Sequence, residues 1–158
     1  MSNAQTVPLQ TTIHVRDTCL CLHVQRAARA LARRFDEAFR SLDLTSGQFS
    51  LLMSLNRPSP PKMREVASLL AMDRTTLTAA LKPLERRGLV SIAVDPKDRR
   101  SRLLSLTLAG HRLLAAAAPI WLRTHAQLES QLAGGGDSLR KALGELYEPV
   151  TVEPECAL

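Results

Sequence analysis

The sequence is poor in aromatic residues and in cysteine, and it has no long apolar run. Aromatic residues make up 3% of the 158 residues, so leucine and alanine must build the core, and this composition favours helices. Three cysteines, Cys19, Cys21 and Cys156, form no disulfide framework and suit a reducing compartment. The longest apolar stretch, from Leu113 to Leu122, is far shorter than the ~20 residues that span a bilayer.

Several functional signatures are also missing. The N-terminal stretch lacks the apolar segment of a signal peptide, so we expect a cytoplasmic protein with no membrane partner. No phosphate-binding glycine loop, Ser/His/Asp pattern or zinc-ligand cluster is present, and the motif AGGGD follows a predicted helix instead of a strand. The sequence therefore predicts a protein that is not an enzyme and that needs neither cofactor nor metal.

Positive charge is concentrated in the middle of the chain. The formal net charge is +6, and the segment 62–102 holds ten Lys and Arg residues against five Asp and Glu residues. A basic segment of this kind favours an acidic partner, either nucleic acid or an anionic membrane. A membrane-surface protein would carry this charge on an amphipathic helix, whereas here much of it lies in a predicted turn.

The hydrophobic periodicity predicts a mostly α protein with a small β-hairpin. Residues 1–16 show no periodicity and are expected to form a flexible arm, and Asp17 is a plausible N-cap for a long amphipathic helix. Thr45 and Gln48 have the spacing of a capping box. Short helices follow at MREVASLLAM and, after the N-cap Asp73, at RTTLTAALKPLERRG, where Gly88 supplies the C-terminal stop. Two apolar alternating segments then flank a charged turn, and Thr107 begins a last long helix.

Two short helices followed by a hairpin make a winged helix-turn-helix, which predicts binding to double-stranded DNA. On the second helix, threonine hydroxyls suit contacts with base edges, and cations at helical spacing suit phosphates. The arginine-rich turn suits the narrow, negative minor groove of A·T-rich DNA, and Asp98 is placed to hold that turn. The predicted DNA-binding residues are Arg74, Thr75, Thr76, Thr78, Lys82, Arg86, Lys97, Asp98, Arg99, Arg100 and Arg102.

The segments LDLTSGQFSLLMSL, REVASLLAMDRTTLTAALKPLERRGLV and DPKDRRSRLLSLTLAG closely resemble the MarR family of bacterial transcription regulators. The most specific part is Asp98-x-Arg100 in the wing, followed by LSLT and Gly110. The resemblance implies a triangular homodimer with interleaved terminal helices, a recognition helix at about 74–87 and Arg100 in the minor groove. It also implies that a small molecule or an oxidant tunes DNA affinity.

These expectations give one structural unit with distinct parts. Residues 17–44 and 108–149 form a helical dimerisation region, 45–107 form the winged helix-turn-helix, and 150–158 form a tail. The predicted function is a homodimeric repressor of a pseudo-palindromic operator, released by an effector whose identity the sequence does not give. The apolar stretch 113–122 supports the dimer independently, because one winged domain would leave it uncovered.

Two alternatives stay open. One MarR branch senses organic hydroperoxides through a cysteine at the position of Cys21, but its supporting tyrosines are replaced here by Gln25 and Phe35. We expect Cys21 on the buried face of the first long helix, where a structural role is favoured over redox sensing. The second alternative is a sequence-tolerant architectural DNA-binding protein.

Overall fold

A computed structural model describes residues 6–147 of the chain. Over this range the fold is mostly α, with a single two-stranded antiparallel hairpin. A short 3₁₀ turn at Arg40–Leu42 separates the N-terminal helices from the rest. The elements are α1 (Leu9–Thr18), α2 (Leu20–Ala38), α3 (Ser46–Ser54), α4 (Met63–Leu69), α5 (Arg74–Arg86), β1 (Val90–Asp95), β2 (Asp98–Leu106), α6 (Leu108–Glu129) and α7 (Gly135–Gly144).

The core is built mainly from leucine, as the composition requires. Leu77, Leu81 and Leu84 form the buried stripe of α5 and are at most 1% exposed. They join side chains from α3, α4, β2 and α6, and the rings of Phe39 and Phe49 stack at 4.9 Å. Burying side chains of this size is the main force that holds α5 against the rest of the domain.

Three helix ends follow the predicted capping residues Thr45, Gly88 and Thr107. Thr45 and Gln48 form a reciprocal capping box at the start of α3. Thr107 caps α6 by accepting a hydrogen bond from the Gly110 N–H at 3.1 Å. At the end of α5, Gly88 has φ +66°, and the Leu89 N–H donates to the Leu84 carbonyl at 3.0 Å, as in a Schellman motif. The glycine turn directs the chain straight into β1.

The hairpin is pinned to the helix-turn-helix on one side. β1 pairs with β2 from Val90↔Leu106 to Asp95↔Asp98, with an irregularity next to the turn. The loop before α4 runs along the outer edge of β2, where the Leu104 N–H donates to the Pro61 carbonyl at 3.0 Å and Lys62 bridges Leu103. This short bridge on the other edge of β2 fixes the position of the wing relative to α4.

The N-terminal prediction of irregular structure is wrong, because α1 is a helix over Leu9–Thr18. Periodicity detects a face buried against protein, and α1 buries no residue within the protomer. Asp17 is not an N-cap: it lies inside α1, where its carboxylate accepts hydrogen bonds from Arg16. The long helix α2 begins later, after Cys19.

The expected burial of Cys21 is also wrong within the protomer. Cys21 is exposed and Cys19 is half-buried, because α2 buries no residue fully against its own chain. The apolar face of α2 instead leaves Leu20 68% exposed and Val24 38% exposed. Cys156 and the predicted tail 150–158 lie outside the described residues. Within 6–147, no helix combines the length and apolarity needed to cross a membrane.

Candidate nucleic-acid interface

The exposed face of α5 carries the predicted recognition residues. Asp73 caps this helix, accepting the Thr76 N–H at 2.8 Å. The leucine stripe faces the core, so the opposite face is open to solvent. The exposed side chains on that helix include Arg74, Thr75, Thr76, Thr78, Lys82 and Arg86.

The three threonines differ in the hydrogen bonds that their hydroxyl groups can still make with an external partner. Thr76 donates to the Asp73 carboxylate at 2.6 Å, so its hydroxyl is part of the cap. Thr78 donates to the Arg74 carbonyl at 2.7 Å, which leaves only its oxygen lone pairs for an external partner. Within residues 6–147 the Thr75 hydroxyl has no hydrogen-bond partner, so it is available as donor or acceptor.

Two aspartates shape the tip of the wing. The buried Asp95 accepts the Lys97 N–H at 2.8 Å, and Asp98 accepts the Arg100 N–H at 3.0 Å. The Asp98 carboxylate therefore holds the turn through the backbone of Arg100, as its spacing predicts. The side chains of Lys97, Arg99 and Arg100 are exposed at this tip.

Arg102 is placed differently from the other wing cations. It is half-buried, and its guanidinium donates to the Arg99 and Ser101 carbonyls, both at 3.1 Å. These hydrogen bonds stabilise the conformation of β2 near the turn. Arg102 stays a predicted DNA contact, but part of its hydrogen-bonding capacity is used inside the hairpin.

The ion pair between Lys62 and Asp95 was not predicted from the sequence. Lys62 Nζ lies 3.5 Å from Asp95 Oδ2, and the Asp95 side chain is 5% exposed. The hydrogen bond from the Lys97 N–H and the charge of Lys62 both lower the pKa of Asp95. The only available signal was a lone acidic residue at the end of an apolar strand, which equally fits an ordinary turn.

A cationic groove of about 350 Å³ lies between α4, the start of α5 and β2. Arg64 enters this groove from the first turn of α4 and was absent from the predicted residues. The groove brings the predicted Arg74 and Arg100 to the same surface, although they are far apart along the chain. Its lining residues are Met63, Arg64, Ala67, Arg74, Arg100, Ser101 and Arg102.

The histidines form no metal-binding cluster with other ligating residues within 6–147. His125 lies 3.6 Å from the Glu129 carboxylate and stacks on Trp121 at 4.4 Å between ring centroids. Glu129 in turn accepts a hydrogen bond from Arg140 at 2.5 Å. This arrangement links α6 to α7.

Comparison with known proteins gives matches across this region. The MarR family model matches residues 44–101, which contain the helix-turn-helix, β1 and the first residues of β2. The transcriptional repressor NicR of Pseudomonas putida is 37% identical over 76 residues, but the match spans only 48% of this chain and 48% of NicR. The chain thus matches about half the length of that curated relative.

Two further relatives are covered more fully. The transcriptional regulator HosA of Escherichia coli O111:H- is 35% identical over 94 residues, which are 58% of this chain and 68% of HosA. The M. tuberculosis regulator MosR, solved in complex with DNA, is 32% identical with a TM-score of 0.75 over 81% of this chain and 92% of MosR. At 81% of this chain, the structural match is longer than the winged helix-turn-helix and so extends beyond it. On the strength of these matches, this chain belongs to the MarR family.

Proposed function

We propose that the chain is a sequence-specific DNA-binding transcription regulator that acts as a homodimer. The observation that carries this proposal is the cationic groove, which brings the start of α5 and strand β2 of the wing to one surface. A helix and a hairpin presented together can enter the adjacent major and minor grooves of one duplex. The solved complex of MosR with DNA supports this use of the fold.

Each element has a distinct role in the proposal. Thr75 and Thr78 contact base edges in the major groove, where small hydroxyl side chains allow close approach. Lys82 and Arg86 meet phosphates along the groove wall. At the wing, Arg100 enters the minor groove with its backbone held by Asp98.

Selection from a random duplex pool with the purified protein tests this function. Enriched sequences should be pseudo-palindromic, with half-sites about one helical turn apart, ~10 bp between centres, because paired recognition helices must share one face of the duplex. The enriched duplex should be protected in footprinting at physiological salt. A pool in which every sequence binds equally would favour a sequence-tolerant architectural protein instead.

The homodimer is supported by apolar side chains that the protomer leaves uncovered. Leu9 of α1, Leu20 of α2 and Leu122 of α6 are 72%, 68% and 61% exposed. All three lie outside the winged domain, on the terminal helices, and we propose that they become part of one apolar association surface in the dimer. Light scattering should give twice the protomer mass, and Leu122→Asp should shift the protein towards monomer. A wild-type monomer at micromolar concentration would contradict the proposal.

We assign effector release to a second groove, of about 370 Å³, between α3, α4 and α6. It is lined by apolar side chains, including Phe49, Met53, Leu70 and Trp121, and suits a small apolar or aromatic molecule. A ligand wedged there would contact both the winged domain and α6. Screening such compounds for release of the selected duplex tests this assignment, and Met53→Trp should block release by filling the groove.

We propose repression as the output of DNA binding, in line with the repressor NicR.

A redox-responsive regulator is the second candidate, and the exposure of Cys21 favours it. The Gln25 amide lies 3.1 Å from the Cys21 sulfur, so a polar neighbour is in place. Peroxide should release DNA from the wild-type protein but not from Cys21→Ser. Identical release from both proteins would remove Cys21 as a sensor.

A further inference from the structure

We propose that the groove between α4, α5 and β2 holds one sugar–phosphate strand of the bound duplex, with Arg64 and Arg74 as its phosphate contacts. The inference rests on the proposed DNA-binding function and deepens it. It adds Arg64, from the first helix of the helix-turn-helix, to the residues that bind the partner.

The path of the DNA strand follows from the protein occupying two adjacent grooves of the duplex at once. The major and minor grooves of B-form DNA are separated by a single sugar–phosphate strand. If α5 lies in the major groove and the wing in the neighbouring minor groove, that strand must pass between them. The cationic groove is the concavity between the start of α5 and β2, and its volume is about 350 Å³.

The chemistry of the lining suits a phosphodiester. Four of the lining side chains are arginines, and none is acidic. Arginine presents a planar fork of N–H donors that matches phosphate oxygens in a bidentate manner. Met63 and Ala67 add apolar surface beside the arginines, which suits the carbon face of a deoxyribose.

Arg64 and Arg74 differ from Arg102 in the number of guanidinium N–H donors that remain available for a ligand. Within the described part of the chain, neither guanidinium makes a hydrogen bond or ion pair with another residue, whereas that of Arg102 is tied to two wing carbonyls. Arg64 lies in the first turn of α4, and Arg74 is the first residue of α5.

Phosphate contacts of this kind set the register of the protein on DNA without reading sequence. Because Arg64 and Arg74 come from two helices joined by a short turn, they grip the strand at the point where α5 enters the major groove. Their loss should therefore lower affinity on all sequences alike and leave base preference at the Thr75 and Thr78 positions intact.

The salt dependence of binding to a random-sequence duplex tests the inference. Each phosphate contact contributes about 0.9 to the slope of log K against log salt, so Arg64→Gln in a dimer should lower the slope by about 1.8. Arg64→Lys should retain most of the slope. Arg112→Gln removes the same charge from an exposed position on α6, outside the groove, and should leave the slope unchanged. Equal slopes for Arg64→Gln and Arg112→Gln would overturn the inference.

A second measurement locates the contact. In the duplex selected from the random pool, single phosphates are replaced in turn by uncharged methylphosphonates. Among the phosphates whose replacement weakens binding of the wild-type protein, one in each half-site should cause no further loss of affinity for Arg64→Gln. If no sequence is enriched, the proposed specific function fails while the salt slope still tests the groove. If a sequence is enriched but no such position exists, the groove assignment fails alone.

Discussion

Lys62 Nζ lies 3.5 Å from the buried Asp95 carboxylate, so the residue that precedes α4 is joined to the tip of the wing. The backbone repeats this connection, because the Pro61 carbonyl accepts the Leu104 N–H of β2. The wing is thus held against the helix-turn-helix by one ion pair and one extra strand contact. We expect the ion pair to position the wing, since neither Lys62 nor Asp95 lines the cationic groove.

Asp95→Asn should weaken DNA binding severalfold, because it removes the charge that attracts Lys62 while its Oδ1 still accepts the Lys97 N–H. Since the pKa of Asp95 is lowered in the folded protein, its contribution to stability is present above the unfolded pKa, about 3.9, and is lost as pH falls through the folded pKa. Acid unfolding followed by circular dichroism should therefore be less steep for the variant. An unchanged acid transition would remove the ion pair from this role.

Arg100→Ala should lower affinity at least tenfold per half-site, since a lost charge-assisted contact costs roughly 1.5–3 kcal/mol. It should also reduce the preference for A·T-rich flanks, because those flanks attract arginine through a narrow minor groove. Binding to matched duplexes with A·T-rich and G·C-rich flanks measures both effects. Equal losses on both duplexes would mean that the wing binds phosphate only.

Thr78→Val should relax base preference at one position per half-site, with a loss of about 1–3 kcal/mol on the preferred sequence. The Thr78 hydroxyl donates to the Arg74 carbonyl, so it can only accept from DNA, and we expect its partner to be an amino group of adenine or cytosine. Lys82→Ala is the comparison, because a phosphate contact should lower affinity equally on all sequences. Competition binding with single-base variants separates the two outcomes.

Gly110→Ala should destabilise the protein by roughly 1–3 kcal/mol, because a Cβ there would lie 2.1 Å from the Leu89 carbonyl oxygen and the backbone has to move. Gly47→Ala is the matched control, since nothing lies within 4 Å of a Cβ at that position in α3. The control should be neutral or stabilising by about 0.5–1 kcal/mol, as for glycine replaced in a helix. Urea unfolding of both variants checks the pair.

Much of the fold follows from local signals in the sequence. The capping box at Thr45, the cap at Asp73 and the glycine turn at Gly88 were predicted because each depends on neighbours within a few residues. The helix α1 was missed because it buries nothing within its own protomer, so its sequence has no stripe to reveal it.

The site was predicted less completely than the fold. The exposed faces of α5 and the wing were recognisable from residue type and spacing. Arg64 and the Lys62–Asp95 pair were not, because the contact between the loop before α4 and the outer edge of β2 joins residues far apart in sequence. Hydrophobic periodicity in the sequence does not predict a contact between two such distant segments.

The aromatic stack that runs from Phe35 through Phe39 and Phe49 to Trp121 and His125 has a practical consequence. Trp121 is the only indole in the sequence, and it lies where α3 and α6 meet. Any sliding of α6 against the winged domain must change the packing around that ring. The intrinsic emission of the unlabelled protein should therefore report such sliding directly, in real time, during operator capture and release.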